Sequence, residues 1–364
     1  MTGREKSAPG ARYTSPTRIG SLSRRLAGPR RILYMTRQNG RGSGMLRGNM
    51  PERELASASA DPEQARTLYR NGRVSDAIAA AEATGLSDPQ VRLVHASAVY
   101  DAGNAVKAFD LLASLCKDLR DRPDVERFGA EFALFTRQSN FQTPVETATT
   151  LDPLRQIATA LGDATSLAGL HLAVARLEAL RGSSTDARLH LDIAKRLAAD
   201  ASSDLRCSIE LVSASPLLDT GSVDKARATA VWAFEVASSN QQLLPRSRAL
   251  GNMGLFTLYL GNSKQARAYL NEARTSAGEM SFVQLGLTDS LASVALFEGN
   301  LRECSKYLDE IDALIQSHRV PARSSYARGW SHPALSTKHA SGLRISAARS
   351  GSNSWPRGRS ATTR

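Results

Sequence analysis

Leu250–Ala273 reads LGNMGLFTLYLGNSKQARAYLNEA, two apolar-faced segments separated by a Gly-Asn corner. Leu250, Met253, Gly254 and Thr257 fall at steps of three, one and three, so on a helix they share a face. Gly261 follows at the point where a left-handed residue ends a helix without a Cβ penalty. Asn262 and Ser263 are short polar residues suited to cap the next helix. Ala266, Leu270 and Ala273 recur at four and three, again on one face. Small residues at Gly254 and Ala266 predict that the two helices approach closely, so bulk at Ala266 is expected to overpack the contact.

The same grammar repeats. Gly72 is followed by Ala77, Ala81 and Thr84; Gly103 by Ala108, Leu112 and Leu115; Gly182 by Ala187, Leu191 and Ala194. Gly221 precedes Ala226, Ala230 and Ala233, and Gly299 precedes Cys304, Leu308 and Ile311. Each unit has a small residue five after the glycine and mostly apolar or small ones nine and twelve after. The glycines are 31, 79, 39, 40 and 38 residues apart. The gap of 79 fits two units, the missing corner falling near Ser139–Asn140, where Pro144 and the threonine-rich 143–150 spoil the pattern. Such spacing predicts an internal repeat of helix pairs. Asp61-Pro62-Glu63 is a natural opening, with Asp as N-cap and Pro at the first helical position. Pairs are expected over 62–85, 90–118, 124–160, 164–200, 204–239, 246–277 and 282–317.

These residues resemble the tetratricopeptide repeat (TPR) family, whose motif wants a small residue at its eighth position, a glycine before the second helix, an alanine five later and often a closing proline. Gly254, Gly261, Ala266 and Ala273 match in one unit, and Gly72, Ala77 and Pro89 in another. The resemblance covers about residues 60–318 and implies an all-α, right-handed solenoid of stacked hairpins. The usual period is about 34 residues, so spacings of 38–40 imply helices about a turn longer. That is more like the long-helix repeats in regulatory arms of bacterial transcription activators.

In such repeats the first helices line a concave groove. Carried over, the groove residues are Arg248, Leu255, Leu258 and Tyr259 in the best unit, with Gln90, Leu93, Tyr100, Leu172, Arg176, Leu211, Asp289 and Phe297 from the others. The family's carboxylate clamp needs Lys and Asn at defined groove positions. Only Arg248 and Asn252 stand in for them, so binding of a chaperone C-terminus is not supported. Leu, Tyr and Phe with scattered charges suit an amphipathic helix or an extended segment. The leading expectation is therefore a non-enzymatic module that binds a protein or peptide. The alternative is the sensor or regulatory arm of a truncated bacterial transcription activator. Oligomeric state is open.

Composition bounds the rest. The 364 residues are 41% hydrophobic and 5% aromatic, a balance that favours small-residue helix packing over a β-sandwich. No run approaches the roughly 18 apolar residues of a membrane span, and no apolar stretch follows the first basic residues to make a secretory signal. The expected location is the cytoplasm. The formal charge of +12 invites a nucleic-acid reading, but it sits at the ends. Residues 1–53 carry twelve basic and two acidic residues, and 319–364 carry nine basic and none acidic. The array between, 54–318, has 26 basic against 33 acidic residues, so specific nucleic-acid recognition by it is not expected. The basic ends would bind nucleic acid only non-specifically and in a salt-sensitive way.

Both ends read as disordered. The first is either a flexible or misassigned start (Met35, Met45 and Met50 are other candidate initiators) or an organellar transit peptide. The tail begins where another helix should cap the last apolar face, which suggests a truncated or frame-shifted piece of a longer protein. Cys116, Cys207 and Cys304 never form a CxxC pair, and Cys304 takes a small-residue position, so all three read as packing residues. His171 and His190 lie on the two helices of one hairpin and can approach each other, but no HExxH accompanies them. Gly40–Gly44, GRGSG, has neither the flanking strand and helix nor the Lys-Ser/Thr of a phosphate loop. No cofactor, metal or catalytic residue is expected.

Overall fold

The computed structural model describes residues 61–317, and within them lie fifteen α-helices in seven successive units. The first two hairpins are α1 (Pro62–Arg70) with α2 (Val74–Ala83), and α3 (Pro89–Asp101) with α4 (Ala105–Asp118). The third unit holds α5 (Val125–Gln138), α6 (Pro144–Thr149) and α7 (Leu151–Leu161). Four long hairpins follow: α8 (Ala164–Leu180) with α9 (Ser184–Leu197), α10 (Ser203–Asp219) with α11 (Val223–Ser239), α12 (Leu243–Tyr259) with α13 (Ser263–Ala277), and α14 (Ser281–Phe297) with α15 (Leu301–Ser317). Expectations about the basic ends, and about where the array starts and stops within 54–60 and at 318, lie outside the described residues.

All six corner glycines are left-handed, with φ between 69° and 95°. At Gly261 the reason is explicit. Its N–H donates to the Leu258 carbonyl at 2.8 Å, and the Asn262 N–H reaches back to Thr257 at 3.1 Å. This pair of bonds satisfies two carbonyls that the helix end would otherwise leave bare, and it forms only around a left-handed residue. The other five corners repeat the same two bonds. Asn262 then caps α13 by accepting from the Gln265 N–H, and Asp61 caps α1 ahead of Pro62.

Small residues set the packing. Ala187, Ala226 and Ala266 are fully buried, five positions past their corners. A Cβ added at Gly254 would lie 2.6 Å from Leu270 Cγ and 3.1 Å from the Ala266 carbonyl oxygen, so α12 and α13 are in contact where the sequence predicts it. Cys304 is buried beside Ala292 and Ala295, and burial pushes the Cys207 thiol up to about 11.

The expected pair over 124–160 is corrected: three helices occupy it. α5 stops at the predicted corner near Ser139, and Pro144 then opens a short α6, which cannot extend backwards through a residue lacking an N–H. Thr143 and Glu146 hold its start as a reciprocal capping box. α7 packs against α5 and so takes the second-helix place in this unit.

The stack has an inside. Along α1, α3, α5, α8, α10, α12 and α14, each first helix touches the next, whereas second helices of adjacent units stand further apart. Rods that crowd on one side and spread on the other follow a curve, with the first helices on its concave side. None of the described helices is long and apolar enough to cross a membrane.

Candidate functional site

The concave face is read from the first helices, whose expected groove residues lie two, three, six, nine, ten and thirteen before the corner glycines. Its most open row is the one two before: Leu180, Asp219, Tyr259 and Phe297 come from α8, α10, α12 and α14 in turn. The three apolar members are 39%, 36% and 59% exposed, so three of four successive hairpins present an apolar side chain at one register. Tyr259 and Phe297 were expected groove residues. Leu180 was not, although its distance from Gly182 marks it in the sequence. Asp219 accepts a hydrogen bond from the Ser184 hydroxyl at 2.6 Å.

The remaining expected residues divide by exposure. Arg248 is exposed, and Gln90, Leu211, Asn252, Leu255 and Asp289 are half-buried along the inner helices. Arg176 is half-buried and ties α8 to the end of α5, donating to the Thr136 carbonyl, the Ser139 hydroxyl and the Asn140 amide oxygen at 3.1–3.3 Å. Leu93 packs into the contacts between α4 and α5. Tyr100, Leu172 and Leu258 are buried at 3%, 2% and 5%. These three side chains are interior, and only rearrangement would bring them to a partner. Position within a repeat places a residue on the inner helix but does not tell whether a neighbouring helix covers it.

Tyr100 is covered from far along the chain. Its ring stacks on Phe282 at the start of α14, with centroids 4.5 Å apart, and Phe141 meets Phe282 edge-on at 5.7 Å. Asn140 donates to the Tyr100 hydroxyl at 3.0 Å, and Ile311, Leu314 and Ile315 of α15 pack on the same cluster. Nearby, the Ser75 N–H donates to the Glu279 carboxylate at 2.9 Å, and Gly72 lies against Leu243 and Met280. The curve therefore brings the corners of the first hairpins onto the leading ends of α12 and α14.

A buried polar group sits beneath this junction. Tyr69 donates to the Asp101 carboxylate at 2.6 Å, and Asp101 is 1% exposed. Burial, then the Asp101 charge, push the Tyr69 hydroxyl well above its usual range, and Arg137 and Arg248 act in the opposite sense. The Arg248 charge is thus near enough to act on Tyr69 at the end of α1. Asp289 differs from all of these. No salt bridge or side-chain hydrogen bond engages its carboxylate among the described residues, and burial alone raises it to about 6.

His171 and His190 do meet, Nδ1 to Nδ1 at 2.9 Å with rings stacked. Burial, then the neighbouring ring, lower His171 from its ordinary value. No group of three or more His, Cys, Asp or Glu placed to hold a metal ion is found among the described residues.

No family model matches the chain, and no curated protein matches it in sequence. Among solved structures it is similar to a Rap protein complexed with Competence and Sporulation Factor, with a TM-score of 0.57 over 70% of this chain and 74% of that one. The fold is a TPR-like helical repeat. At 11% identity the likeness carries the fold alone, and it lends no support to the transcription-activator reading.

Proposed function

We propose that this repeat array is a non-enzymatic interaction module that holds a protein segment, an extended peptide or an amphipathic helix, in its concave groove. The observation that carries this reading is the row of exposed Leu180, Tyr259 and Phe297 at one register of the inner helices. Apolar side chains exposed at a repeating position form a surface that a ligand can cover. Adjacent inner helices lie roughly 10 Å apart, which matches about three residues of an extended strand or about seven of a helix. A ligand with apolar side chains at either spacing would reach Tyr259 and Phe297 together. The solved Rap protein is itself complexed with a factor, which agrees with a binding role for this architecture.

The test is the double variant Tyr259→Ala/Phe297→Ala in a pull-down with the full chain. Captured protein should fall at least about tenfold, as for anchors worth more than 1 kcal/mol each, with the helical circular dichroism unchanged. A collapse of the helical signal would make these residues core. A chain that captured no protein yet turned over a small molecule would end the scaffold reading.

A further inference from the structure

His171 and His190 bring two bases together across the α8–α9 hairpin. Their Nδ1 atoms are 2.9 Å apart, and the rings overlap with centroids 5.2 Å apart. The register that joins them is set by the corner: His171 stands eleven residues before Gly182 and His190 eight after it. In α12 and α13 the same two places hold Leu250 and Tyr269, which pack in one apolar cluster. In α10 and α11 they hold Glu210 and Thr229, and in α14 and α15 Thr288 and Tyr307. Cross-helix contact at this register is thus a property of the repeat. A pair of imidazoles there belongs, among the described hairpins, to α8–α9 alone.

Small neighbours fix the two rings. Ala168 and Ala175 lie a turn to either side of His171, and Ala187 and Ala194 a turn to either side of His190. All four alanines are fully buried, so the helices that carry the rings are packed together above and below them. The rings themselves are only half-buried and reach solvent.

Two imidazoles in this contact share one proton, one Nδ1 donating and the other accepting, and a second proton would set two cations against each other. Burial, then His190, hold His171 below its ordinary value, and neutral imidazole is the form that binds a metal. An ion held by each nitrogen at about 2.0–2.1 Å sets the two nitrogens about 2.9 Å apart at a right angle and about 3.3 Å apart at a tetrahedral one. The observed 2.9 Å already matches the first of these. Turning the two rings would seat an ion without moving either helix.

We propose that His171 and His190 form a two-imidazole site for a divalent transition ion, Zn²⁺ or Cu²⁺, bound through both Nδ1 atoms. Imidazole suits these ions, whereas Mg²⁺ and Ca²⁺ take oxygen ligands. With both Nδ1 atoms on the metal, each ring carries its proton on Nε2. No third His, Cys, Asp or Glu joins the pair among the described residues, so water fills the remaining positions. The ion would cross-link α8 to α9. The site stands apart from the groove, since eleven before the corner is not one of the groove positions.

The experiment titrates Zn²⁺ into the full chain at about pH 7.5, followed by calorimetry and thermal melting. Wild type is compared with His171→Gln, with His190→Gln and with the triple variant His318→Gln/His332→Gln/His339→Gln. Wild type should take up an ion that raises its thermal midpoint. Each single variant should bind that ion at least about tenfold more weakly, because one imidazole no longer holds it in place for the other. The triple variant, with α8 and α9 intact, should bind as wild type does. The midpoint shift should vanish at about pH 5.5, where protons displace the ion. Equal binding and equal midpoint shifts in wild type and both single variants, or loss in the triple variant instead, mean an adventitious ion only and overturn the site. No metal-dependent shift in wild type overturns it as well and leaves the pair a shared-proton contact. Electron paramagnetic resonance of the triple variant loaded with Cu²⁺ reads the ligands with both imidazoles in place: two bound nitrogens support the site, and one or none overturns it even if the single variants misfold.

Discussion

At the scale of single residues, Gly254 and Asp289 show opposite ways in which one side chain decides an outcome. Gly254 has no room: an added methyl would meet Leu270 at 2.6 Å, so helix and helix must part or Leu270 must leave its rotamer. Gly254→Ala is expected to cost about 1–3 kcal/mol in urea unfolding despite its better helix propensity. An unchanged midpoint would mean that the hairpin relaxes freely. Asp289 is half-buried, and no side-chain hydrogen bond or ion pair engages its carboxylate among the described residues. Its folded value is raised to about 6 from 3.8, so the native state holds the proton more tightly than the unfolded chain does. The stability this provides is complete below about pH 4 and is lost as pH rises through about 6. Asp289→Asn should therefore flatten the stability profile between pH 4 and 6 and stabilise the protein at pH 7. A carboxylate with a hidden native partner would give the reverse.

At the scale of elements, each hairpin is closed by a left-handed residue whose N–H donates one corner bond while the N–H of the next residue donates the other. Between α11 and α12 the same bonds recur, from Gln242 to Ala237 and from Gln241 to Ser238, but the left-handed place is filled by Gln241 at φ 55°. A side chain there costs about 1–2 kcal/mol that glycine would not. Gln241→Gly should raise the thermal midpoint by a few degrees, and a drop would show that the glutamine side chain contributes a contact of its own. This corner also shows what the sequence reveals. Gly261, Asn262 and Ala266 are legible because corner, cap and contact lie within six residues of one another. Gln241 carries no such mark, since its conformation is imposed by the helices on either side. The exposure of Tyr259 and Phe297 follows from an equally local mark, their distance of two residues from a corner glycine. Tyr100 was placed on the correct helix but not seen as interior, because what covers it is Phe282, 182 residues away, brought there by the sum of all intervening rotations.

At the scale of the whole array, the concave face exists because the inner helices crowd together, and the curve is long enough for first and last hairpins to meet. The Tyr100–Phe282–Phe141 cluster and the Ser75–Glu279 bond hold that meeting. Phe282→Ala should remove about 3 kcal/mol or more of stability and raise the radius of gyration in X-ray scattering, with little loss of far-ultraviolet ellipticity. Destabilisation with no expansion would mean that the cluster is ordinary core and not a fastening. Ion pairs between neighbouring hairpins, such as Arg267 with Glu298 and Glu303, set local stacking but lie near the surface, where each contributes little.

The hydrogen bond from Ser75 to Glu279 spans 204 residues of chain and carries a kinetic consequence. Open repeat proteins unzip from whichever extremity frays first. Here the entry hairpin cannot peel away until its grip on the exit hairpin is broken, so amide exchange in α1–α3 and in α14 should share one lifetime. The two extremities of the described chain would then open as a single event.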